Sequence, residues 1–322
     1  MLEDTINFIK DNYQQSSLDV ISEEIIDSIN NSLKASGIMY RLFSRVKSYE
    51  SICKKIEKKY DKYVSTSTKM QDSIGLRITL YFKDDIDICI RILKDLFDED
   101  NHECDEIDSV TFKPLRINYV FRIPSGIGEI PSDYQESGLI DNTFEVQVRT
   151  TFTEGWQEVE HDIRYKYQTD WNDEVDMSRD LNALAAILEM CDNNIIGICD
   201  NLSYKKYKAK KVEPMIRSRF RIRLDPQPLD QRLNDIILSD FEHIGKALFR
   251  FNRTRLIWSL SKCNLDVNVN NIIFLINRLD INHKEISALD SLSSESIPNE
   301  VLYATDFSTS DPYNSIVAMK YN

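Results

Sequence analysis

The sequence predicts an α+β protein in which a mixed β-sheet is flanked by helices and followed by a helical C-terminal extension. Two observations lead to this fold class. Few strand-like segments are present, they alternate with helical segments, and they end before a helical second half of the chain. Only 8 of the 322 residues are Gly and 8 are Pro, which is typical of a helix-rich globular protein.

The first predicted element is a helical N-terminal arm, residues 1–39. Apolar residues recur at helical spacing within residues 2 to 36, and Gly37 is a suitable end for a helix.

The predicted main domain covers residues 40–205. It begins with a helix rich in Arg and Lys, from about Tyr40 to Tyr63, and continues with a strand from Gly75 to Phe82. The remaining predicted elements keep this alternation, and they are a helix after Asp84-Asp85, strands at about 117–123 and 143–150, and helices at about 151–167 and 173–204.

Residues 206–322 are predicted to form a basic connector, a mainly helical region and a polar tail from about Ser291. Four apolar residues recur there at helical spacing, namely Phe241, Ile244, Leu248 and Phe251. We interpret these helices as a packing or dimerisation layer.

Charge and cysteine usage narrow the class of protein. The formal net charge of −13 opposes bulk nucleic-acid binding, so a nucleotide site must be a local basic patch. The six cysteines form no C-x-x-C pair, and the N-terminus shows neither a signal peptide nor an apolar run of membrane-spanning length. We therefore expect a protein of the reducing cytoplasm that is not inserted in a membrane.

A polar row marks the strand predicted at 143–150. Strand alternation places Glu145, Gln147 and Arg149 on one face and their apolar neighbours on the other. A solvated edge strand would show the same pattern, so this row of polar residues indicates a functional site only if other polar residues lie close to it.

Basic and acidic residues of the preceding segments supply such neighbours. Lys47, Ser51 and Lys55 recur every four residues, as on one stripe of a helix, and Arg45 precedes them. This stripe alone is also typical of a solvated face. The Asp72 carboxylate leads into the next strand and Arg77 follows it, a pair that could hold Mg²⁺ beside phosphates gripped by the guanidinium.

His161 and Asp162 form an adjacent His-Asp pair of the kind found in metal-dependent phosphohydrolases. The chain has only 4 His, so no second His-Asp cluster is available to complete such a metal site. The residue is either part of the nucleotide site or an ordinary helix histidine.

Taken in this order, these segments resemble the synthetase domain of the RelA/SpoT family, including its small and toxic alarmone synthetases. The resemblance covers about residues 40 to 205. It rests on four motifs, which are residues 45–51, 72–77, 144–150 and 156–161 with Tyr165-Lys166.

The resemblance implies a nucleotidyltransferase-like fold and transfer of the β,γ-pyrophosphate of ATP to the ribose 3′-hydroxyl of GDP or GTP. It implies that ATP contacts Arg45, Lys47, Ser51, Lys55 and Arg77. It further implies that Mg²⁺ is held by Asp72 and Glu145, with Glu145 activating the hydroxyl and Asp72 and Arg77 sharing the catalytic role. The acceptor side would comprise Arg116, Tyr119, Gln147, Arg149 and His161.

One motif departs from the family pattern. The family's acceptor motif has the form Y-R-S-x-H, and its Tyr stacks on guanine. In this chain Leu115 stands at the Tyr position, Ile117 at the Ser and Tyr119 at the His, and only Arg116 is kept. A lost aromatic platform removes about 1–3 kcal/mol of base stacking, so Tyr119 or Phe112 would have to replace it.

Three functions of different classes remain open on the sequence. The first is a nucleotide pyrophosphokinase that makes ppGpp, pppGpp or the adenosine equivalent, and the second is a toxin-like enzyme that pyrophosphorylates the 3′ end of tRNA. The third is a degenerate, non-catalytic nucleotide-binding or regulatory module. The expected small-molecule partners are ATP and GDP or GTP, and a homo-oligomer or a regulatory protein partner would use the C-terminal region.

The tRNA alternative depends on a basic segment. Five lysines between 205 and 211 precede Arg217, Arg219, Arg221 and Arg223, which alternate with apolar residues and as a strand would form a four-arginine face. An exposed connector with packed arginine stems would show the same sequence.

Overall fold

The structure is a computed structural model, and it describes residues 7, 15–59, 62–63, 69–105, 116–130 and 140–304. By its internal contacts the chain divides into two compact units. The first comprises residues 1–30, 41–79 and 93–149, and the second comprises residues 31–40, 80–92 and 150–322.

A five-stranded sheet confirms the predicted mixed sheet flanked by helices. Its strand order is β1-β2-β5-β4-β3, and β4 pairs antiparallel with both β3 and β5. The strands are β1 (Tyr40–Val46), β2 (Ile74–Leu80), β3 (Glu99–Cys104), β4 (Ile117–Arg122) and β5 (Thr143–Thr150).

The helices of the first half of the chain precede, join and follow these strands. They are α1 (Gln15–Ser36), α2 (Tyr49–Lys58), α3 (Ile86–Leu96), α4 (Thr151–Glu160) and α5 (Val175–Lys208). A 3₁₀ turn at Lys83–Asp85 leads into α3, and a π-helical turn at His161–Tyr165 and a 3₁₀ turn at Gln168–Trp171 separate α4 from α5.

One face of the sheet packs on an aromatic core within the first unit. The ring of Phe97, which follows α3, lies 5.0 Å from that of Phe144 and 6.1 Å from that of Phe121. All three rings are buried. This core fixes the orientation of β4 and β5, because it commits their apolar residues to one face and leaves the alternate residues on the other.

The C-terminal region is helical, as predicted. Its helices are α6 (Val212–Phe220), α7 (Gln231–Ser239), α8 (Lys246–Arg250), α9 (Arg253–Lys262), α10 (Val269–Ile276), α11 (Lys284–Leu289) and α12 (Asn299–Tyr303). Phe241, Ile244, Leu248 and Phe251 are buried inside the chain, which agrees with the packing alternative for these four residues.

Two element predictions were wrong. The segment predicted as one helix from Tyr40 to Tyr63 begins instead with the strand β1, and helix α2 starts only at Tyr49. The segment around Arg217 and Arg219 is helix α6 and not a strand, because its buried residues recur at helical spacing and the chain turns out of the helix at Arg221, which has a φ of 47°.

No helix in the described part of the chain is both long and apolar enough to cross a membrane. All six cysteines are free thiols.

Gly37 ends α1 with a φ of +74°, a conformation that side chains with a Cβ rarely adopt. A Cβ there would lie 3.1 Å from both Ile222 Cβ and Val267 Cγ1. Gly37→Ala is therefore expected to destabilise the protein by about 1–3 kcal/mol, measured by thermal unfolding.

The matched control for this substitution is Gly155→Ala. Gly155 lies inside α4, and a Cβ there would meet nothing within 4 Å. Ala at such a helical position is expected to stabilise by up to about 1 kcal/mol. Equal melting temperatures for the two variants would contradict the conformational argument at Gly37.

Candidate functional site

The polar row predicted on β5 is present on one face of the sheet. Phe144, Val146 and Val148 are buried on the opposite face, as the alternation requires. Gln147 Nε2 donates a hydrogen bond of 2.9 Å to Glu145 Oε1. Because this bond restrains Glu145, its carboxylate is held at a defined position on the polar face.

Two lysines converge on Asp72, just before β2. Lys47 Nζ lies 2.7 Å and Lys55 Nζ 2.6 Å from the same oxygen, Asp72 Oδ2. Lys47 precedes α2 and does not lie on it, but its ammonium also donates to the backbone carbonyl oxygen of Asp72 at 2.5 Å. The predicted stripe therefore does bring Lys47 and Lys55 together, around a carboxylate.

Electrostatic coupling within this group shifts its pKa values. Burial acts to raise the pKa of Asp72, but the positive charges of Lys47 and Lys55 outweigh it and hold that pKa below its ordinary value. Burial lowers the pKa of Lys47, and Asp72 opposes this. Burial also acts to lower the pKa of Lys55, but the hydrogen bond to Asp72 and the negative charge of Asp72 together outweigh burial and raise that pKa. Asp72 is therefore a carboxylate near neutral pH.

Asp72 and Glu145 belong to one electrostatic environment. The negative charge of Glu145 acts on the pKa of Lys47, which contacts Asp72 directly. In the described part of the chain Asp72 Oδ1 is buried and has no hydrogen-bond partner. A buried carboxylate oxygen in this state is suited to a cation or a donor supplied by a ligand.

Three arginines gather around the C-terminal end of β5. Burial, together with the charge of Arg77, lowers the pKa of Arg149 to about 10, Glu145 opposes this, and Arg116 lowers it further. Arg149 Nη1 is buried and has no hydrogen-bond partner among the described residues. Like charges held together in this way favour binding of an anion such as a phosphate group.

Arg116 forms ion pairs with neighbouring carboxylates. Its guanidinium makes a two-pronged contact with Asp105, with Nη2 to Oδ1 at 2.8 Å and Nε to Oδ2 at 3.1 Å. Glu103 lies 3.5 Å from the same Nη2. Arg116 is half exposed, so it remains at the rim of the arginine group.

Tyr119 does not belong to this face. It is the register partner of Val146, so it points to the opposite side of the sheet from Glu145. The Tyr119 ring is buried and stacks on His102, at 5.2 Å between ring centroids. The sequence-based assignment of Tyr119 to the acceptor site is therefore wrong, because strand alternation turns its ring into the core.

Asn118 lies where Tyr119 was expected. It is the register partner of Gln147 and shares the polar face with it. Its Oδ1 is buried and without a hydrogen-bond partner in the described residues. We did not predict this residue, although the alternation of Ile117, Tyr119 and Phe121 around it carries the signal.

The other predicted residues make contacts of their own. Arg45 is exposed on β1, and the Ser51 hydroxyl lies 3.1 Å from that of Ser48, the N-cap of α2. His161 lies in the second unit, where its Nδ1 is 2.9 Å from Asp162 Oδ1 and its ring stacks on Tyr165 at 5.3 Å.

The first unit thus combines two carboxylates, two lysines and three arginines around the polar face of its sheet. Fixed cations of this kind can bind a polyphosphate, and carboxylates among them can hold a divalent metal or accept a proton. Within the described residues there is no group of three or more His, Cys, Asp or Glu suited to hold a metal alone.

A family comparison matches the part of the chain that contains this arrangement. Residues 44–170, about two fifths of the chain, match the family model described as a region found in RelA/SpoT proteins. The chain contains a RelA/SpoT region. All the residues of the Asp72 and Arg149 groups lie within the RelA/SpoT region, and the C-terminal helices α6 to α12 lie outside it.

Solved structures similar to this chain include three bacterial proteins. A GTP pyrophosphokinase family protein from Streptococcus pneumoniae is 22% identical over 57% of this chain and 90% of that chain, with a TM-score of 0.42. Small alarmone synthetase 2 from Bacillus subtilis is 23% identical over 57% and 96%, with a TM-score of 0.39. Small alarmone synthetase 1 from Bacillus subtilis bound to AMPCPP is 22% identical over 54% and 87%, with a TM-score of 0.35. The comparison with curated proteins gave no match.

Proposed function

We propose that this chain transfers the β,γ-pyrophosphate of ATP to the 3′-hydroxyl of GDP or GTP, giving an alarmone of the (p)ppGpp type and AMP. The single observation that carries the proposal is the convergence of Lys47 and Lys55 on Asp72, in the electrostatic range of Glu145. It supports a phosphate-transfer site because it combines anchored cations with carboxylates that stay ionised.

The donor side is assigned to the lysine group. Lys47 and Lys55 are part-buried, so their charges are screened less by solvent than those of surface lysines. Phosphate oxygens of ATP would share these ammonium groups with Asp72 Oδ2. Arg77, Ser51 and Arg45 complete the proposed ATP contacts by the resemblance to the family.

Mg²⁺ is the proposed cofactor, held by Asp72 and Glu145. Magnesium in phosphate-transfer sites takes one or two protein carboxylates and completes its coordination with phosphates and water. The unpartnered buried Oδ1 of Asp72 fits this role. When bound, the ion would neutralise charge on the transferring phosphates.

Glu145 is the proposed base for the attacking hydroxyl. The 3′-oxygen forms a bond to the β-phosphorus, the bond between that phosphorus and the oxygen of AMP breaks, and the hydroxyl proton passes to a Glu145 carboxylate oxygen. Gln147 orients this carboxylate through the hydrogen bond to Oε1. The acceptor's phosphates are assigned to Arg149 and Arg116, with Asn118 and Gln147 beside them.

Transfer to tRNA is the weaker alternative. The arginines proposed as its basic face are largely used inside the chain, because Arg221 is buried against Asp84 and Asp200 and Arg217 pairs with Glu213. Arg219 donates to the carbonyl oxygen of Phe249 at 2.9 Å. These contacts leave no four-arginine face in the segment.

The test is a transfer assay with γ-labelled ATP and Mg²⁺, with GDP, GTP, ADP and bulk tRNA offered as separate acceptors. We expect label on GDP or GTP, and a loss of about 10²–10⁴-fold in rate for Glu145→Gln. The control is Glu285→Gln, an exposed carboxylate on α11, which is expected to keep the full rate. Label on tRNA alone would favour the toxin-like alternative, and ATP binding without transfer to any acceptor would refute catalysis.

A further inference from the structure

One exposed aromatic side chain in the first unit has no role in the site described above. Among the described residues of that unit, two large apolar side chains are exposed, Val20 on α1 and Phe43 on β1. Phe43 is 53% exposed, and β1 forms one edge of the sheet. Single exposed apolar residues are common on protein surfaces, so the surroundings of Phe43 decide what its ring can do.

The pairing of β1 with β2 places Phe43 opposite Arg77. Two backbone hydrogen bonds fix this pairing, from Tyr81 N to Met39 O at 3.0 Å and from Lys47 N to Ser73 O at 2.9 Å. Both bonds have the same antiparallel register, in which Phe43 and Arg77 are partners with Cβ atoms about 5 Å apart. Leu76 and Ile78, on either side of Arg77, are buried on the other face. Phe43 therefore lies on the polar face of the sheet.

Two arginines flank the ring on the same face. Arg41 and Arg45 lie two residues before and two residues after Phe43, so strand alternation directs all three side chains to one side. Both arginines are exposed, and neither forms an ion pair with another described residue. Gly75 stands opposite Arg45, and a Cβ there would meet only Arg45 O, at 3.8 Å, among the described atoms. The surface beside Phe43 is therefore open.

The phosphates of ATP are assigned to the end of the same strand. Lys47 follows Arg45 in the same alternation, and its ammonium contacts Asp72 at 2.7 Å. Four residues of extended chain separate Lys47 from Phe43, which is about 13 Å. A nucleoside triphosphate that lies along β1 with its phosphates at Lys47 and Lys55 therefore brings its base to Phe43.

We propose that Phe43 is the stacking platform for the adenine base of ATP, with the guanidinium groups of Arg41 and Arg45 on either side of the ring. The inference rests on the proposed function for the position of the phosphates. An aromatic ring can stack on any base, and a guanidinium can stack on the same base or donate hydrogen bonds to it. Because the larger ring system of a purine stacks more strongly, ATP is expected to bind better than CTP.

The first test is binding to the full chain by isothermal titration calorimetry, with Mg²⁺ and without an acceptor. The probes are ATP, CTP and inorganic tripolyphosphate. For Phe43→Ala we expect the Kd of ATP to rise about 5- to 100-fold and the preference for ATP over CTP to shrink. The Kd of tripolyphosphate should stay within about twofold of the wild type, because this probe has no base.

Two variants control this measurement. Phe43→Tyr keeps an aromatic ring and should bind ATP as the wild type does. Val20→Ala shortens the other exposed apolar side chain of the first unit and should change no Kd. Wild-type affinity of Phe43→Ala for ATP would overturn the proposal, and so would an equal loss of affinity for ATP and for tripolyphosphate.

The second test is transfer kinetics, which separates donor from acceptor. Phe43→Ala is expected to raise KM for ATP, with kcat and the KM of GDP or GTP within about threefold of the wild type. A rise confined to the KM of the guanine nucleotide would assign the ring to the acceptor and overturn the proposal. The two hypotheses can fail separately. Binding of ATP through Phe43 without any transfer would refute the proposed function alone, and transfer by Phe43→Ala with an unchanged KM for ATP would refute the stacking platform alone.

Discussion

Asp72→Asn is expected to lower kcat/KM for ATP by about 10²–10³-fold while leaving the fold intact. The substitution keeps the size of the side chain and removes its negative charge. Lys47 and Lys55, which now share Asp72 Oδ2, would then face each other without a neutralising partner. The amide oxygen would also be a weaker ligand than the carboxylate for the proposed Mg²⁺.

The measurement is initial rate against ATP at several Mg²⁺ concentrations. We expect the deficit to shrink, without vanishing, as Mg²⁺ rises. Asp98→Asn is the control, because Asp98 is an exposed carboxylate outside the group around Asp72, and its rate should match the wild type. A rate for Asp72→Asn within twofold of wild type at low Mg²⁺ would contradict the assignment of Asp72 to the metal.

The same substitution changes the acid side of the stability profile. The pKa of Asp72 is held below its ordinary value in the folded state, so its ionised form contributes stability above the unfolded pKa of about 3.9. This contribution is lost as pH falls through the folded pKa. Acid unfolding of Asp72→Asn is therefore expected to show a shallower pH dependence below about pH 4 than that of the wild type.

Sequence patterns predicted the interior of this fold better than its edges. Strands β2, β4 and β5 have an alternating buried face, and their apolar residues carry the period-two signal. Strand β3 reads Glu-Asp-Asn-His-Glu-Cys, a composition with low strand propensity, and it exists because it pairs with β4. Strand β1 is also at an edge, and its Arg-rich sequence resembled a basic helix.

The grouping of polar side chains was predictable where residue spacing and strand period agreed. Glu145, Gln147 and Arg149 follow from alternation alone, and Lys47 and Lys55 follow from a four-residue spacing even though Lys47 precedes the helix. Tyr119 was assigned to the acceptor site because its side chain is aromatic, but its position in β4 places it on the opposite face of the sheet from Glu145. The contact between Arg116 and Asp105 could not be predicted, because the two residues are eleven apart and no sequence pattern indicates that they meet.

A buried ion pair in the second unit is expected to dominate the stability of its helices. Asp85, in the turn before α3, is fully buried, and its Oδ1 lies 2.5 Å from Arg253 Nη1 at the start of α9. Arg253 Nε also donates to the carbonyl oxygen of Phe220, the last residue of α6, at 2.8 Å. Arg253 therefore joins three elements that are distant in sequence.

Asp85→Ala is expected to destabilise the protein by about 3–5 kcal/mol, because it removes the buried counter-charge of the Arg253 guanidinium and leaves only the partly exposed Asp84, 3.6 Å away. Urea unfolding followed by circular dichroism measures the loss. The control is Asp240→Ala, an exposed carboxylate 3.7 Å from His243, which should change stability by no more than about 0.5 kcal/mol.

The double variant Asp85→Leu/Arg253→Met distinguishes the destabilisation caused by an unpaired buried charge from the net contribution of the ion pair to the free energy of unfolding. Apolar side chains of similar volume remove both charges together, and such replacements of buried pairs are often neutral or stabilising. We expect the double variant to recover most of the stability that Asp85→Ala loses. If it were as unstable as Asp85→Ala, then the hydrogen bond from Arg253 to Phe220, and not the ion pair, would be what holds α3, α6 and α9 together.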